Sequence, residues 1–426
     1  MRTLIKNGLV YRDGAFVQAD VLLDNDRIAE VGQKLTAKAD SVFDAIGKHV
    51  MPGFIDLHVH LRDPGQMHKE DIVSGTRAAA KGGFTTVQAM ANTDPVVDNL
   101  ATVEYINRKA KELGSCKVLV VGALTRNSEG KEIASIANML KGGITAVSDD
   151  GSCVQEGRLK FNALKYAAGF NIPVIVHAED YSLAGSGQVN GGKISTQLGL
   201  SGIPALAEEV MIARDIMFAE KIRCRLHIAH ISTARSIEMV QWARQAGLDV
   251  TAEVTPHHLL LTEEACVGFD TNTKVKPPLR TEKDRRACFD ALREGVIDFI
   301  ATDHAPHADY EKDREFTLAP YGINGFETAF CSLYEGLVLA GELPLETLVQ
   351  RMAEAPARFL SLDTGRIEPG LAADVIMVDL DGEVSITPDA MLSKSKNTPF
   401  LGRSFKGRVL KTWCDGRITW DADDAE

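Results

Sequence analysis

Between Gly53 and Leu362 the chain alternates two textures. Short runs in which most positions are apolar recur at Gly53–Leu61, Thr85–Ala91, Lys117–Ala123, Ala146–Ser148, Pro173–His177, Arg225–Ile231, Asp249–Val254 and Phe299–Thr302. Stretches with apolar residues at helical spacing fall between most of them, at Asp71–Lys81, Ala101–Leu113, Gly157–Ala168, Leu206–Lys221, Ala234–Ala246 and Lys283–Glu294. Runs without polar alternation suit strands covered on both faces, and the intervening amphipathic stretches suit the helices that cover them. Eight such units predict an α/β fold, a (β/α)8 TIM-type barrel over residues 53–362.

The flanks read differently. Residues 1–50 show short strand patterns at Thr3–Ile5, Leu9–Tyr11, Phe16–Asp24, Arg27–Val31 and Ser41–Ala45, divided by turn signals such as Arg12-Asp-Gly14. The β texture returns after Asp363, with strand patterns closing on Asp379 and flanking the hairpin signal Asp415-Gly416. Neither flank is long enough to bury a core alone. The expectation is one composite β-sandwich domain from residues 1–52 and 363–426. The acidic end, Asp421–Glu426, is expected to fray.

Charge and cysteine use narrow the class. The chain has 426 residues and a net charge of -12. With no basic tract, a nucleic-acid partner is not expected. The seven cysteines include no Cys-x-x-Cys pair and read as scattered thiols of a reducing compartment. The first residues, MRTLIKNGLVYRDG, carry no signal-peptide core, and no apolar run reaches 18 residues. A cytoplasmic protein without a membrane span is expected.

The candidate chemistry lies where the strands end. Barrel enzymes place their reacting groups at the C-terminal ends of strands. His58 and His60 stand two apart there and share one face. Asp149 and Asp150 follow the Ala146–Ser148 run, His177 ends the next, His230 ends another, and Asp303 ends the last. Imidazoles and carboxylates in that number suit two divalent ions with one carboxylate bridging, a role for which Asp149 and Asp150 compete. Arg62, in the loop after the first run, is placed to grip a carboxylate beside the ions. His227 faces away from His230 and reads as structural. His49, His68, His257 and His258 read as surface or supporting groups, and His304 as a shaper of its loop.

The pattern Pro52-Gly-Phe-Ile-Asp-Leu-His-Val-His60, with His177, His230 and Asp303, resembles the amidohydrolase superfamily. Six further segments are His58-Val-His-Leu-Arg-Asp-Pro-Gly65, Met90-Ala-Asn-Thr-Asp-Pro95, Ser148-Asp-Asp-Gly151, Lys276-Pro-Pro-Leu-Arg280, Ala301-Thr-Asp-His-Ala-Pro-His307 and Ala319-Pro-Tyr-Gly-Ile-Asn-Gly-Phe-Glu327. Together they resemble its cyclic amidohydrolases, and most closely the bacterial class I dihydroorotases. The resemblance spans nearly the whole chain. It implies two zinc ions, held by His58, His60, Asp150, His177, His230 and Asp303, with Asp150 where relatives often carry a carboxylated lysine. It also implies Asp303 as the catalytic proton carrier. Substrate contacts would come from His60, Arg62, Asn92, His307, Tyr321, Gly322 and position 276. The family usually has Asn at position 276; this chain has Lys276.

The activity implied is hydrolysis of a cyclic amide carbon–nitrogen bond. In detail it is the reversible closure of N-carbamoyl-L-aspartate to L-dihydroorotate in pyrimidine synthesis. The alternatives are another cyclic amidase (hydantoinase, dihydropyrimidinase or allantoinase) and a non-catalytic scaffold for aspartate transcarbamoylase. Arg62 and Asn92 favour a substrate bearing a carboxylate, and the intact ligand set favours an enzyme. A homodimer and docking onto that transcarbamoylase stay open.

Overall fold

The structure, a computed structural model, describes residues 1–424. Among these residues two eight-stranded sheets carry the fold. The first is built from the central apolar runs: β1 (Phe54–Val59), β2 (Phe84–Ala89), β3 (Lys117–Gly122), β4 (Ile144–Ser148), β5 (Val174–Val176), β6 (Leu226–Ile228), β7 (Val250–Val254) and β8 (Phe299–Ile300). Each lies parallel to the next in chain order. Val59 bridges His304 in parallel, and the His60 N–H donates to the His304 carbonyl at 2.8 Å, which draws β1 to the segment after β8. The buried Asp56 carboxylate reinforces the seam by accepting from the Thr302 N–H at 3.0 Å and the Thr302 hydroxyl at 2.5 Å. The expected barrel is the observed architecture.

A helix follows each of β1 to β7: Ile72–Lys81, Leu100–Leu113, Ile136–Lys141, Gly157–Ala168, Leu206–Ile222, Ala234–Gln245 and Glu282–Glu294. Asp71, Asn99, Thr233 and Thr281 cap four of them by accepting from an N–H of the first turn, satisfying groups that would otherwise lack partners. Every residue of β1 and β2 is buried, as strands covered on both faces require. Val120, Val174 and Val176 join the large helix-facing core. Their neighbours Val121 and Ile175 join a separate cluster with Met90, Ala146 and Ala229, on the opposite face by strand alternation.

The second sheet draws on both ends of the chain. Its order is Arg417–Asp421, Ser404–Cys414, Val375–Ser385, His49–Pro52, Arg2–Arg12, Ala15–Asp24 and Arg27–Gly32, with Ser41–Asp44 also on Arg2–Arg12. The two strand patterns at Thr3–Ile5 and Leu9–Tyr11 are one strand. Its register shifts between Ile5 and Gly8, and its parallel partner changes there from Ser41–Asp44 to His49–Pro52. A Cβ at Gly8 would lie 2.7 Å from Val50 Cγ2, so the crossover needs glycine.

The acidic end is not frayed throughout. Asp421 closes a strand, and Lys411 pairs with Asp421 and, at 2.9 Å, with Asp423. Residues 425–426 of that stretch lie outside the described residues. The seven cysteines are all buried thiols. Among the described residues no helix is long and apolar enough to cross a membrane.

Candidate active site

Five side chains from four strand ends converge around the carboxylate that ends a fifth. Asp150 follows β4, and its Oδ1 lies 3.3 Å from His58 Nε2, 3.5 Å from His230 Nε2 and 3.8 Å from His177 Nδ1. Its Oδ2 lies 3.4 Å from His60 Nε2. Asp303, after β8, places Oδ1 3.1 Å from His60 Nε2 and 3.7 Å from His58 Nε2. Two groups could each hold a metal ion: His58, His60 and Asp150, and Asp150, His177 and His230. Asp150 belongs to both, which is the arrangement of a bridging carboxylate.

The choice between the two aspartates has a physical basis. Asp149 turns the other way and accepts from the Leu124 and Thr125 N–H groups at 2.9 Å each, and from the Thr125 hydroxyl. It ties the loop after β3 to the end of β4. Asp150 Oδ1 and His58 Nε2 are buried and, among the described residues, have no hydrogen-bond partner. Buried polar atoms are rarely left so. Nitrogen and oxygen donors aimed at one another across 3.3 Å suit a divalent cation held between them.

Backbone strain collects at the same place. Arg62, His230 and Asp303 have φ of 59°, 33° and 49°. Left-handed backbone at non-glycine residues costs on the order of 1–3 kcal/mol each and is kept where the surroundings enforce it. The turn at His230 also explains why strand pairing stops at Ile228, short of the Ile231 end that the apolar run suggests.

The charges are unevenly shared. Burial works to lower the His58 imidazole, yet the Asp150 and Glu253 carboxylates hold it well above its ordinary value. Burial works to raise Asp150, yet His58, His230 and His60 hold its carboxyl well below the usual range. Burial, then the charge of His230, lowers His177 to about 4. His177 is thus a neutral ring at neutral pH, with Nδ1 3.0 Å from His230 Nε2. Binding of a metal ion there would displace the proton that His58 holds.

The supporting groups include residues that pattern reading missed. Glu253, inside β7, sets Oε1 2.5 Å from His58 Nδ1 and Oε2 3.1 Å from His227 Nε2. His227 lies stacked on Phe299 and 2.8 Å from Thr251 Oγ1, so it steadies Glu253 and, through it, His58. A charged residue in a buried strand was the available signal. Asn92 also does more than line the cavity, because its Oδ1 accepts from His60 Nδ1 at 2.8 Å. His257 and His258 are buried, not on the surface. His258 is tied to Thr255 and Pro277, and burial lowers His257 to about 4. His304 stacks on Phe326 at 3.9 Å and accepts from the Gly325 N–H at 3.3 Å, which fits a loop-shaping part.

The cluster opens into a cavity of about 490 Å³ whose walls include Arg62, Asn92, Lys276, His307, Tyr321 and Gly322. Arg62 is buried, and burial lowers its guanidinium to about 10, so it stays charged at neutral pH. Its Nε donates to the Pro306 carbonyl at 3.2 Å, and Nη2 lies 3.3 Å from His307 Nε2. His307 Nε2–H donates to the Tyr321 carbonyl at 2.9 Å, and burial followed by the nearby cations Arg62, Lys69 and Lys312 keeps the ring neutral. Lys276 reaches Glu179 Oε1 at 2.7 Å and lies over the Tyr321 ring, 4.8 Å from its centroid. Gly322 has φ 144°, and a Cβ there would lie 2.8 Å from the Ala305 carbonyl oxygen.

The chain is similar to known proteins along its whole length. Residues 47–236 match the dihydro-orotase-like family and residues 231–420 the amidohydrolase family. The dihydroorotase of Syntrophotalea carbinolica is 47% identical over 100% of both chains. That of Pelotomaculum thermopropionicum is 47% identical over 98% of both. Among solved structures, the L-hydantoinase (dihydropyrimidinase) of Arthrobacter aurescens superposes with a TM-score of 0.89 at 24% identity, covering 98% of this chain and 96% of its own. The dihydropyrimidinase of Brevibacillus agri gives 0.86 at 25% identity, covering 98% and 95%. With full-length identity of this order to several dihydroorotases, the chain belongs to the dihydroorotase family of the amidohydrolase superfamily.

Proposed function

We propose that the chain is a zinc-dependent dihydroorotase, interconverting N-carbamoyl-L-aspartate and L-dihydroorotate. The observation that carries this is the single Asp150 carboxylate set among four imidazoles, in a cavity whose wall bears the charged Arg62. His58, His60 and Asp303 would hold one zinc ion, and His177 and His230 the other, with Asp150 between them. The chemistry supplied by such a pair is a more acidic water and a polarised amide carbonyl.

The chain's own groups do the rest. Arg62, with Asn92 and His307, orients the ring by its carboxylate, which hydantoin and dihydrouracil lack. Asp303, left-handed and aimed at His60, takes a proton from the attacking water and returns it to the ring nitrogen as the carbon–nitrogen bond breaks. Closure reverses this: the amide nitrogen attacks the carboxyl carbon, Asp303 carries its proton to the departing oxygen, and water leaves. Closure turns a dianion into a monoanion and consumes one proton, so acid favours the ring and alkali the open chain.

The same reading places the hydrolase in residues 53–362 and takes residues 1–52 and 363–426 as a separate β-sandwich domain. It includes a cytoplasmic location; a homodimer and docking on aspartate transcarbamoylase stay open to sedimentation of the protein alone and mixed with that enzyme. The deciding experiment offers the zinc-loaded protein L-dihydroorotate, hydantoin, dihydrouracil and allantoin under one condition. Turnover of dihydroorotate alone, abolished by a chelator, is the expected result. Preference for any of the other three would sink the proposal.

A further inference from the structure

Residues 391–398 belong to neither barrel loop that lines the cavity, yet they are bonded to both. At one end Ser395 Oγ donates to the Lys69 carbonyl at 2.6 Å and Lys394 Nζ to the Met67 carbonyl at 2.8 Å, in the segment after Arg62. At the other end lies Asn397, 2% exposed. Its Oδ1 accepts from the His307 N–H at 3.1 Å, and its Nδ2 donates to the Ala305 carbonyl at 3.0 Å and the Gly322 carbonyl at 3.1 Å. Its own carbonyl accepts from the Asn324 N–H at 2.8 Å.

One side chain therefore fixes the backbone on both sides of the cavity wall, at His307 and at Gly322. The run Ala305-Pro306-His307 is held between two polar groups: Asn397 bonds its first and last residues, and Arg62 bonds the middle carbonyl. Three of the amide's four hydrogen-bonding positions are used, both donors among them, so the bonded geometry admits little freedom. We infer that Asn397 is a positioning residue for the carboxylate grip, setting the distance between Arg62 and His307 from outside the barrel. This rests on the functional reading above, in which those two residues hold the substrate's carboxylate.

The test compares full-length, zinc-loaded wild type with Asn397→Ala and Asn397→Asp. The Asp variant is nearly isosteric and keeps the acceptor for His307, but it turns an oxygen towards two carbonyls. The readouts are the Kd for orotate, a carboxylate-bearing analogue with an unsaturated ring, KM and kcat for dihydroorotate, zinc content and Tm. The expected result is a rise of about tenfold in both Kd and KM, with kcat within about threefold and zinc content unchanged. If Asn397→Ala does not fold, Asn397→Asp decides alone. Kd and KM at wild-type values with a lowered Tm would reduce Asn397 to a fastener and overturn the inference. So would a loss of kcat that follows a loss of zinc. Wild type inactive on dihydroorotate would defeat the functional reading, while a tenfold loss of orotate binding in the variants would still uphold the grip. Wild type that binds no orotate would overturn it.

Discussion

Glu253 Oε1 lies 2.5 Å from His58 Nδ1, a contact between two wholly enclosed side chains. Because Nδ1 donates there, Nε2 is the nitrogen left facing Asp150, and release of its proton would bare a lone pair for a metal ion. Burial would raise Glu253, but His58 and His227 hold its carboxyl far below the usual range. A charged acceptor on the outer nitrogen makes the inner nitrogen a better ligand.

Glu253→Gln removes that charge and keeps the shape. Zinc affinity should fall by about 10- to 100-fold, read by competition with a chromophoric chelator. Affinity equal to wild type would detach Glu253 from the metal site.

Asp303→Asn keeps a ligand oxygen but cannot carry the proton. Turnover of dihydroorotate should drop by about 10²- to 10⁴-fold with zinc retained. Steady-state kinetics alongside metal analysis checks this, and undiminished turnover would assign the proton to another group.

Much of this site is legible in the chain. His58 and His60 declare themselves because a strand puts alternate residues on one face, and the other candidate ligands because each closes an apolar run. What is not legible is non-local. Asn397 meets His307 and Gly322 across 90 and 75 residues, and no period or spacing announces such bonds. Asp149 and Asp150 are neighbours of one type, and only the loop after β3 tells them apart. The split reading of Arg2–Arg12 failed at Asn7-Gly8 for a local reason: a bulge interrupts alternation exactly as a turn does in sequence, while the hydrogen-bonded strand continues.

Arg62→Met removes the charged grip. KM for dihydroorotate should rise by about 10- to 100-fold, the range for losing hydrogen bonds from a charged group. An unchanged KM in initial-rate measurements would mean the carboxylate lies elsewhere.

Lys312 offers a test by pH. It is buried, donates to the Thr271 and Pro320 carbonyls at 2.9 Å, and burial lowers it to about 7. The unfolded chain, with an ordinary lysine near 10.4, binds more protons than the folded one between about 7 and 10, so this group adds stability as pH rises through that window. Lys312→Met should lose that gain. Its deficit against wild type in urea denaturation should be larger at pH 9.5 than at pH 7 by more than about 1 kcal/mol. A deficit independent of pH would show that the lysine folds with its ordinary proton affinity.

The pairing of His49–Pro52 with Val375–Val378 carries a consequence for synthesis. The first 50 residues leave the ribosome early, but the strand that completes their sheet is made roughly 320 residues later, tens of seconds at the usual pace of translation. Through that interval His49–Pro52 offers an open edge to any passing strand. The nascent chain is thus open to mispairing at His49–Pro52 over that interval, and a protein cut short before Val375 would keep that exposed edge permanently.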